Sequence, residues 1–359
     1  MQSCFENVLS SRAFRTEREG PLRRPTRQAH IYRPTGGSVG SLKVLKFKVN
    51  GGVPSTFCLS RCRRLSTPRC ALNETQSAEA DKSGVFDQEY IVSQLDKEAF
   101  QRDGYVHLRG VLSEEELATI IEPVYTKFMT GELKPEGRDL CDMSGATNLS
   151  PEDFKLFNAM LPRKYYPSWQ GNVFELRCQS IADQLCQGDM MIDYDQILAK
   201  RPLSEDATFA WHQDMAYWPP FTKEHATATC WLALDDSTVQ NGCMRFLPGS
   251  HKEPELRRHS PVKLASSRMD DESSHALCTE VDEEKEKPLY VEISRGDITV
   301  HNENVVHGSG PNRSEGWRRA YVLAFRKRST VEEERKHGFT HSHNDTFNWD
   351  QYHDWVNDQ

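Results

Sequence analysis

The chain has no run of 18 consecutive apolar residues, so a helix spanning a lipid bilayer is not expected. It has no Cys-x-x-Cys pair and no Cys/His cluster at zinc-finger spacing. Its ten cysteines are scattered, and in 359 residues that pattern reads as reduced thiols in an intracellular compartment. His-Glu-x-x-His is missing, which argues against a zinc hydrolase. Acid is scarce at the N-terminus alone. Residues 1–72 hold eleven Arg and three Lys against three Glu and no Asp, a net charge of +11. The whole chain carries −8, which leaves −19 on the rest. A body that acidic lacks the basic face that phosphate backbones require, so no nucleic-acid partner is expected.

Three segments follow from composition. Residues 1–80 are rich in Arg, Ser, Thr, Pro and Gly, the composition of an organellar transit peptide and linker. A secretory signal would need an apolar stretch near the start, and there is none. The Ser, Pro and Gly content favours a plastid over a mitochondrion, with cleavage expected near residues 69–71. The other reading is a disordered basic tail that meets acidic partners. Residues 81–335 form the folded domain, with a charged, patternless insertion at 252–288. Residues 336–359 form a polar and aromatic tail. Its His337, His341, His343 and His353, with Trp349, Tyr352 and Trp355, are expected to fold back over the body.

Helical patterns come first in the body. Ile91, Leu95 and Phe100 suit a helix that stops at Gly104, and residues 105–108 read as a short strand. Ser113 with Glu116 is a capping-box pattern ahead of an apolar face of Leu117, Ile120, Ile121, Val124 and Phe128. Residues 132–150 look like loop, and 151–160 and 168–187 look helical. Strand-like segments follow at 189–199, 208–218, 226–235, 242–248, 289–300 and 318–326. Helices followed by many short antiparallel strands predict an α+β fold with a jelly-roll or similar barrel.

Within 208–218, His212 and Asp214 stand at i and i+2. On a strand both point to one face, about 6.6 Å apart along the chain, so both can reach one ion. The best third ligand is His307, in Val305-Val306-His307-Gly308-Ser309-Gly310. Two imidazoles and a carboxylate on one side of a metal form the facial triad of non-haem Fe(II) oxygenases. His301, six residues before His307, is the rival ligand, since an unbroken strand would put both on one face. Arg318 opens the last strand and can grip a carboxylate through two donors, as the far end of 2-oxoglutarate demands. Arg319 competes for that role, and only one of the two can face inward. His251 is read as a surface or supporting residue, and Gln213 as facing away from the site. Tyr217, Trp218 and Phe221 either line a substrate pocket or pack the barrel mouth.

Four ordered motifs then carry a resemblance. They are Trp211-His212-Gln213-Asp214, the run 230–236 (Cys-Trp-Leu-Ala-Leu-Asp-Asp), the run 241–251 ending Pro-Gly-Ser-His, and His307-Gly308-Ser309-Gly310 with Arg318. Together they resemble the phytanoyl-CoA dioxygenase family over about residues 95–330. The resemblance implies a double-stranded β-helix, Fe(II), 2-oxoglutarate as co-substrate, and O2. It implies His212, Asp214 and His307 as iron ligands and Arg318 as the co-substrate clamp. Ser309, Trp231 and, more loosely, Gln196 match co-substrate positions. Halogenating relatives leave the carboxylate position vacant, so Asp214 points to hydroxylation of a C–H bond with release of succinate and CO2. Alternatives are a 2-oxoglutarate-dependent desaturase or cyclase and, from another class, a non-catalytic cupin-like metal-binding protein. The family name implies an acyl-CoA substrate, while the fold also serves amino acids, alkaloids, lipids and osmolytes.

Overall fold

The computed structural model describes residues 89–144, 149–219, 222, 224–262 and 276–345. The basic N-terminal segment, Phe221, Trp349, Tyr352, His353 and Trp355 lie outside the described residues.

The Ser93 side chain accepts from the Asp96 amide and opens α1 (Gln94–Asp103), which ends at Gly104 with φ of +81°. Strand β1 (Tyr105–Leu108) follows. The Ser113–Glu116 capping box is present. The hydroxyl accepts from Glu116 N, and the Glu116 carboxylate accepts from Ser113 N at 2.8 Å. Helix α2 (Glu114–Glu116) passes through a π turn at Leu117–Ile121 into α3 (Glu122–Met129). Next come β2 (Leu140–Asp142), β3 (Leu156–Met160), α4 (Pro162–Tyr165), α5 (Val173–Leu185) and β4 (Met190–Lys200). Strands β5 (Phe209–His212), β6 (Thr227–Ala233), β7 (Met244–Phe246), β8 (Ser260–Pro261) and β9 (Leu277–Cys278) lead to α6 (Glu283–Glu286). The chain closes with β10 (Leu289–Val291), β11 (Ile298–His301), β12 (His307–Ser309), β13 (Arg318–Lys327) and α7 (Arg328–Lys336).

Seven strands form one antiparallel sheet in the order β1-β11-β6-β13-β4-β3-β2. Four form a second, β10-β7-β12-β5, and β8 pairs with β9. Leu198, Trp231, Ala320 and Val322 of the large sheet share one apolar layer with Met244 and Phe246 of the small sheet, so the two sheets face each other. Strand alternation turns Tyr321, Leu323 and Phe325 the other way, against Phe174, Cys178 and Ile181 of α5. This division gives the large sheet a helix-covered back and leaves its front for the site. No helix among the described residues is long and apolar enough to cross a membrane. The described cysteines are unbridged.

Several local expectations are corrected. Residues 151–160 are not a helix. A 3-10 turn at Pro151–Asp153 leads into β3, whose five residues are all buried. A fully buried strand has no alternating pattern to separate it from a buried helix. The expected strand over 289–300 is two strands in different sheets, split at Gly296. Its φ is +87°, and a Cβ there would collide with the Leu112 carbonyl. Within α1 only Phe100 is buried, Leu95 is 77% exposed, and just before the helix Ile91 is 70% exposed while Val92 is buried. Residues 132–150, expected as loop, contain the edge strand β2. The insertion is not purely peripheral. Its His259 Nε2 accepts from Gln213 N at 3.1 Å, and Tyr217 Oη accepts from Leu277 N at 2.8 Å.

A buried ion network ties α7 and the following residues to β4. Arg326 donates through Nη1 to Asp193 Oδ2 at 3.0 Å and to Glu334 at 2.8 Å, and through Nη2 to Thr222 Oγ1 at 3.0 Å. His341 Nε2 lies 2.7 Å from Asp193 Oδ2. The guanidinium also stacks on Trp218, 4.1 Å from the ring centroid. Removing it would leave two carboxylates buried together. Arg326→Met is therefore expected to lose about 3–5 kcal/mol of stability in urea denaturation. A variant as stable as the parent would contradict this account of the network.

Candidate metal centre and co-substrate pocket

The small sheet brings two histidines together. His307 on β12 stands opposite His212 on β5, and their ring centroids are 4.3 Å apart. Each ring makes the same backbone contact. His212 Nδ1 is 2.8 Å from Ala210 O, and His307 Nδ1 is 2.9 Å from Val305 O. A carbonyl can only accept, so each Nδ1 carries the proton and each Nε2 keeps a free lone pair.

Asp214 completes the group, although not from a strand. Strand β5 stops at His212, Gln213 stays extended at φ −117° and ψ 134°, and Asp214 opens a 3-10 turn that runs Asp214–Tyr217. The expected strand over 208–218 is thus corrected to four residues, yet extended Gln213 preserves the i, i+2 relation. Gln213 itself turns away, with Nε2 donating to Asn304 O at 2.7 Å and Oε1 accepting from Arg257 N at 3.0 Å. Asp214 Oδ1 lies 3.6 Å from His212 Nε2 and 3.4 Å from His307 Nε2. One ligand atom from each residue lies within 4.8 Å of the others, and all three residues are buried. Burial, then neighbouring His212 and His301, holds His307 well below the usual imidazole range, which keeps it neutral. Burial alone would raise the Asp214 carboxyl, but His307, His212 and His301 outweigh it and hold it well below the carboxylate range. Two imidazole nitrogens and one carboxylate oxygen suit a divalent transition metal with open positions.

His301 reaches the same carboxylate from the large sheet. Its Nε2 is 3.3 Å from Asp214 Oδ2. The idea that His301 and His307 share a face of one unbroken strand is corrected: they lie on β11 and β12 of different sheets and converge from opposite sides. His251 lies elsewhere, with Nε2 3.2 Å from Gln101 O.

Arg318 faces inward at the start of β13, fully buried, and its guanidinium sits 5.0 Å from the Trp231 ring centroid. Its Nε and Nη1 have no partner, nor does Ser309 Oγ. Burial pushes the guanidinium down to about 10. Arg319 faces outward and pairs with Asp235 at 2.7 Å and Glu122 at 2.9 Å. Buried Lys200 is the cross-strand neighbour of Arg318, and burial, then the guanidinium groups of Arg318 and Arg245, holds its amine well below the usual lysine range. It donates to the carbonyls of Ala207 (2.7 Å) and Gly310. The unpartnered donors of Arg318 and Ser309 are thus the groups in this part of the fold open to a ligand that accepts hydrogen bonds.

An inner chamber holds the triad, Gln196, Trp231, Ser309 and Arg318. An outer cavity of about 410 Å³ shares Tyr194, Gln196, Phe209, His212 and Asp214 with it, so the triad stands where the two meet. That volume suits a small molecule. Tyr217 and Trp218 line the outer cavity, and so do Phe339, His341, Ser342 and His343. Of the tail, residues 337–345 lie against the body, with Asp139 accepting from Ser342 Oγ at 2.9 Å and from His343 N at 2.7 Å. Tyr194 was missed, although its even spacing from Gln196 on β4 was a usable signal. Lys200, also at even spacing from Gln196 on β4, carried the same signal, while Thr229 and Arg138 gave none.

Convergent imidazoles and a carboxylate beside a buried guanidinium with unpartnered donors have the chemistry to hold a divalent metal and, next to it, a carboxylate. Family comparison agrees. Residues 100–320, more than half of the chain, match the family model for phytanoyl-CoA dioxygenase (PhyH), and the chain belongs to that family. A probable alpha-ketoglutarate-dependent hypophosphite dioxygenase of Stutzerimonas stutzeri is 32% identical over 226 residues, 62% of this chain and 74% of that protein. A phytanoyl-CoA dioxygenase domain-containing protein 1 homolog of Dictyostelium discoideum is 37% identical over 120 residues, 32% of this chain and 39% of that protein. Among solved structures, EvdO2 from Micromonospora carbonacea var. aurantiaca complexed with 2-oxoglutarate is 28% identical with a TM-score of 0.53, covering 66% of this chain and 91% of its own.

His212→Ala, Asp214→Ala and His307→Ala are each expected to weaken Mn(II) binding by at least about 100-fold in calorimetry, with thermal unfolding still cooperative. Parent-like binding by any one of them would remove that residue from the ligand set.

Proposed function

We propose that this protein is an Fe(II)- and 2-oxoglutarate-dependent dioxygenase that hydroxylates an unactivated C–H bond of a small-molecule or acyl substrate. One observation carries the reading: Arg318 is a buried guanidinium with unpartnered donors in the same chamber as the triad. A protein that merely stored a metal would gain nothing from it. In the same reading, the two facing sheets are the double-stranded β-helix, which the likeness to EvdO2 supports.

The residues then take these roles. His212 Nε2, His307 Nε2 and Asp214 Oδ1 hold the iron. Iron bound there supplies the O2 chemistry that couples decarboxylation of 2-oxoglutarate, to succinate and CO2, with oxidation of the substrate. Arg318 pairs through two donors with the distal carboxylate, and Ser309 Oγ donates a third hydrogen bond. Trp231 braces the guanidinium by its ring face. Gln196, held by donation from its Nε2 to Asn158 Oδ1 at 2.6 Å, lines the wall near the keto acid. Lys200 fixes the backbone next to Ser309. The outer cavity takes the substrate, with its polar and aromatic wall from Tyr194, Tyr217 and the residues after α7. Asp214 fills the position that a halide would need, which favours hydroxylation. Residues 1–80 serve as the address to an organelle, a plastid in this reading, on composition alone.

Removing one partner of a buried charge pair costs about 3–5 kcal/mol, and about 1.4 kcal/mol is a decade. Arg318→Ala is expected to raise the 2-oxoglutarate concentration for half-maximal succinate release by roughly 100-fold or more. Arg319→Ala, outside the chamber, is expected to stay close to the parent. The reverse order would move the clamp to Arg319.

A further inference from the structure

Two cross-strand pairs face each other around Asp214, one from each sheet. From the small sheet, His212 and His307 are register partners and present Nε2 to Oδ1. From the large sheet, His301 on β11 and Thr229 on β6 are register partners as well. Both address the other oxygen. His301 Nε2 lies 3.3 Å from Asp214 Oδ2, and Thr229 Oγ1 donates to it at 3.2 Å. The carboxylate is thus divided between the sheets.

We propose that His301 and Thr229 are positioning residues that occupy Asp214 Oδ2, so that Oδ1 alone faces the metal. This rests on the reading of His212, Asp214 and His307 as iron ligands. A carboxylate with both oxygens free can swing to bind a metal through both, which would consume a coordination position that the co-substrate or O2 needs. Two donors on Oδ2 oppose that swing and hold Oδ1 at the meeting point of the two imidazoles. His301 suits the task. It is buried, and its Nδ1 has no partner, so the contact with Asp214 is its one polar contact. Its ring is set by packing, 5.7 Å from Phe246 and 4.3 Å from His307 between ring centroids. Phe246 in turn stacks on Tyr105, the β1 register partner of His301. The outer contact is therefore built into the pairing of the large sheet.

The test uses Co(II), whose visible absorption reports ligand number and geometry, with affinity read by calorimetry on the full chain. His301→Phe keeps a flat ring and removes the donor. Thr229→Val keeps the shape and removes the hydroxyl. Each is expected to weaken Co(II) binding about 10- to 100-fold, as loss of an outer partner does. The Co(II) spectrum should shift toward higher coordination, because Oδ2 is released to the metal. His301→Gln, which restores an N–H donor, should recover most of the affinity and the parent spectrum. Parent affinity and spectrum in both His301→Phe and Thr229→Val would overturn the proposal while leaving the triad intact. Loss of Co(II) in His301→Phe as complete as in His307→Ala, without rescue by Gln, would make His301 a ligand and overturn it too. A parent protein that binds no Co(II) would overturn the triad reading itself.

Discussion

Each imidazole of the centre has its Nδ1 tied to the backbone carbonyl two residues before it, and the rest of the site follows from that constraint. The bond fixes the tautomer, and it fixes the ring's direction with the strand that carries it. With Nδ1 committed, Nε2 must face the neighbouring strand, where the register of β5 and β12 has placed the other histidine. Asp214 then needs only one extended residue, Gln213, to arrive between them. Burial and mutual contact hold His307 well below the imidazole range and Asp214 well below the carboxylate range.

Charge is distributed by function across the described structure. Near the C-terminal end, Arg326 is surrounded by Asp193 and Glu334, and the network closes on itself. Arg319 is likewise satisfied by Asp235 and Glu122. Arg318, one residue away, has no such partner and is deeper. Adjacent residues on one strand thus carry a paired guanidinium and a buried one with open donors, and in the proposed function the second receives an anion. An apolar residue in place of Arg318 would avoid the cost of burying an unpaired charge. In the proposed function a bound carboxylate pairs with Arg318.

Much of this site was legible in the sequence because it depends on short-range periodicity. The two-residue step from His212 to Asp214 survives although the strand ends between them, since Gln213 keeps extended dihedrals. The inward turn of Arg318 follows from its alternation with Arg319. What was not legible depends on pairing across the chain. Residues 289–300 read as one strand, yet Gly296 turns the chain from the small sheet into the large one. His301 therefore meets the site from the opposite sheet, not from beside His307. Residues 156–160 hid as helix because burial on both faces erases alternation. The polar ring from Arg138, His341 and His343 around the outer cavity depends on the fold-back of residues after α7, which composition suggested without locating it.

The central claim is that one chamber holds a metal at the triad and a diacid between that metal and Arg318. A crystal structure of the protein with Mn(II) and 2-oxoglutarate tests it most directly. The account predicts Mn(II) bound by His212 Nε2, His307 Nε2 and Asp214 Oδ1, and the distal carboxylate paired through two donors with Arg318 and touched by Ser309 Oγ. Metal at Asp193, Glu334 and His341 instead, or a distal carboxylate held away from Arg318, would contradict it.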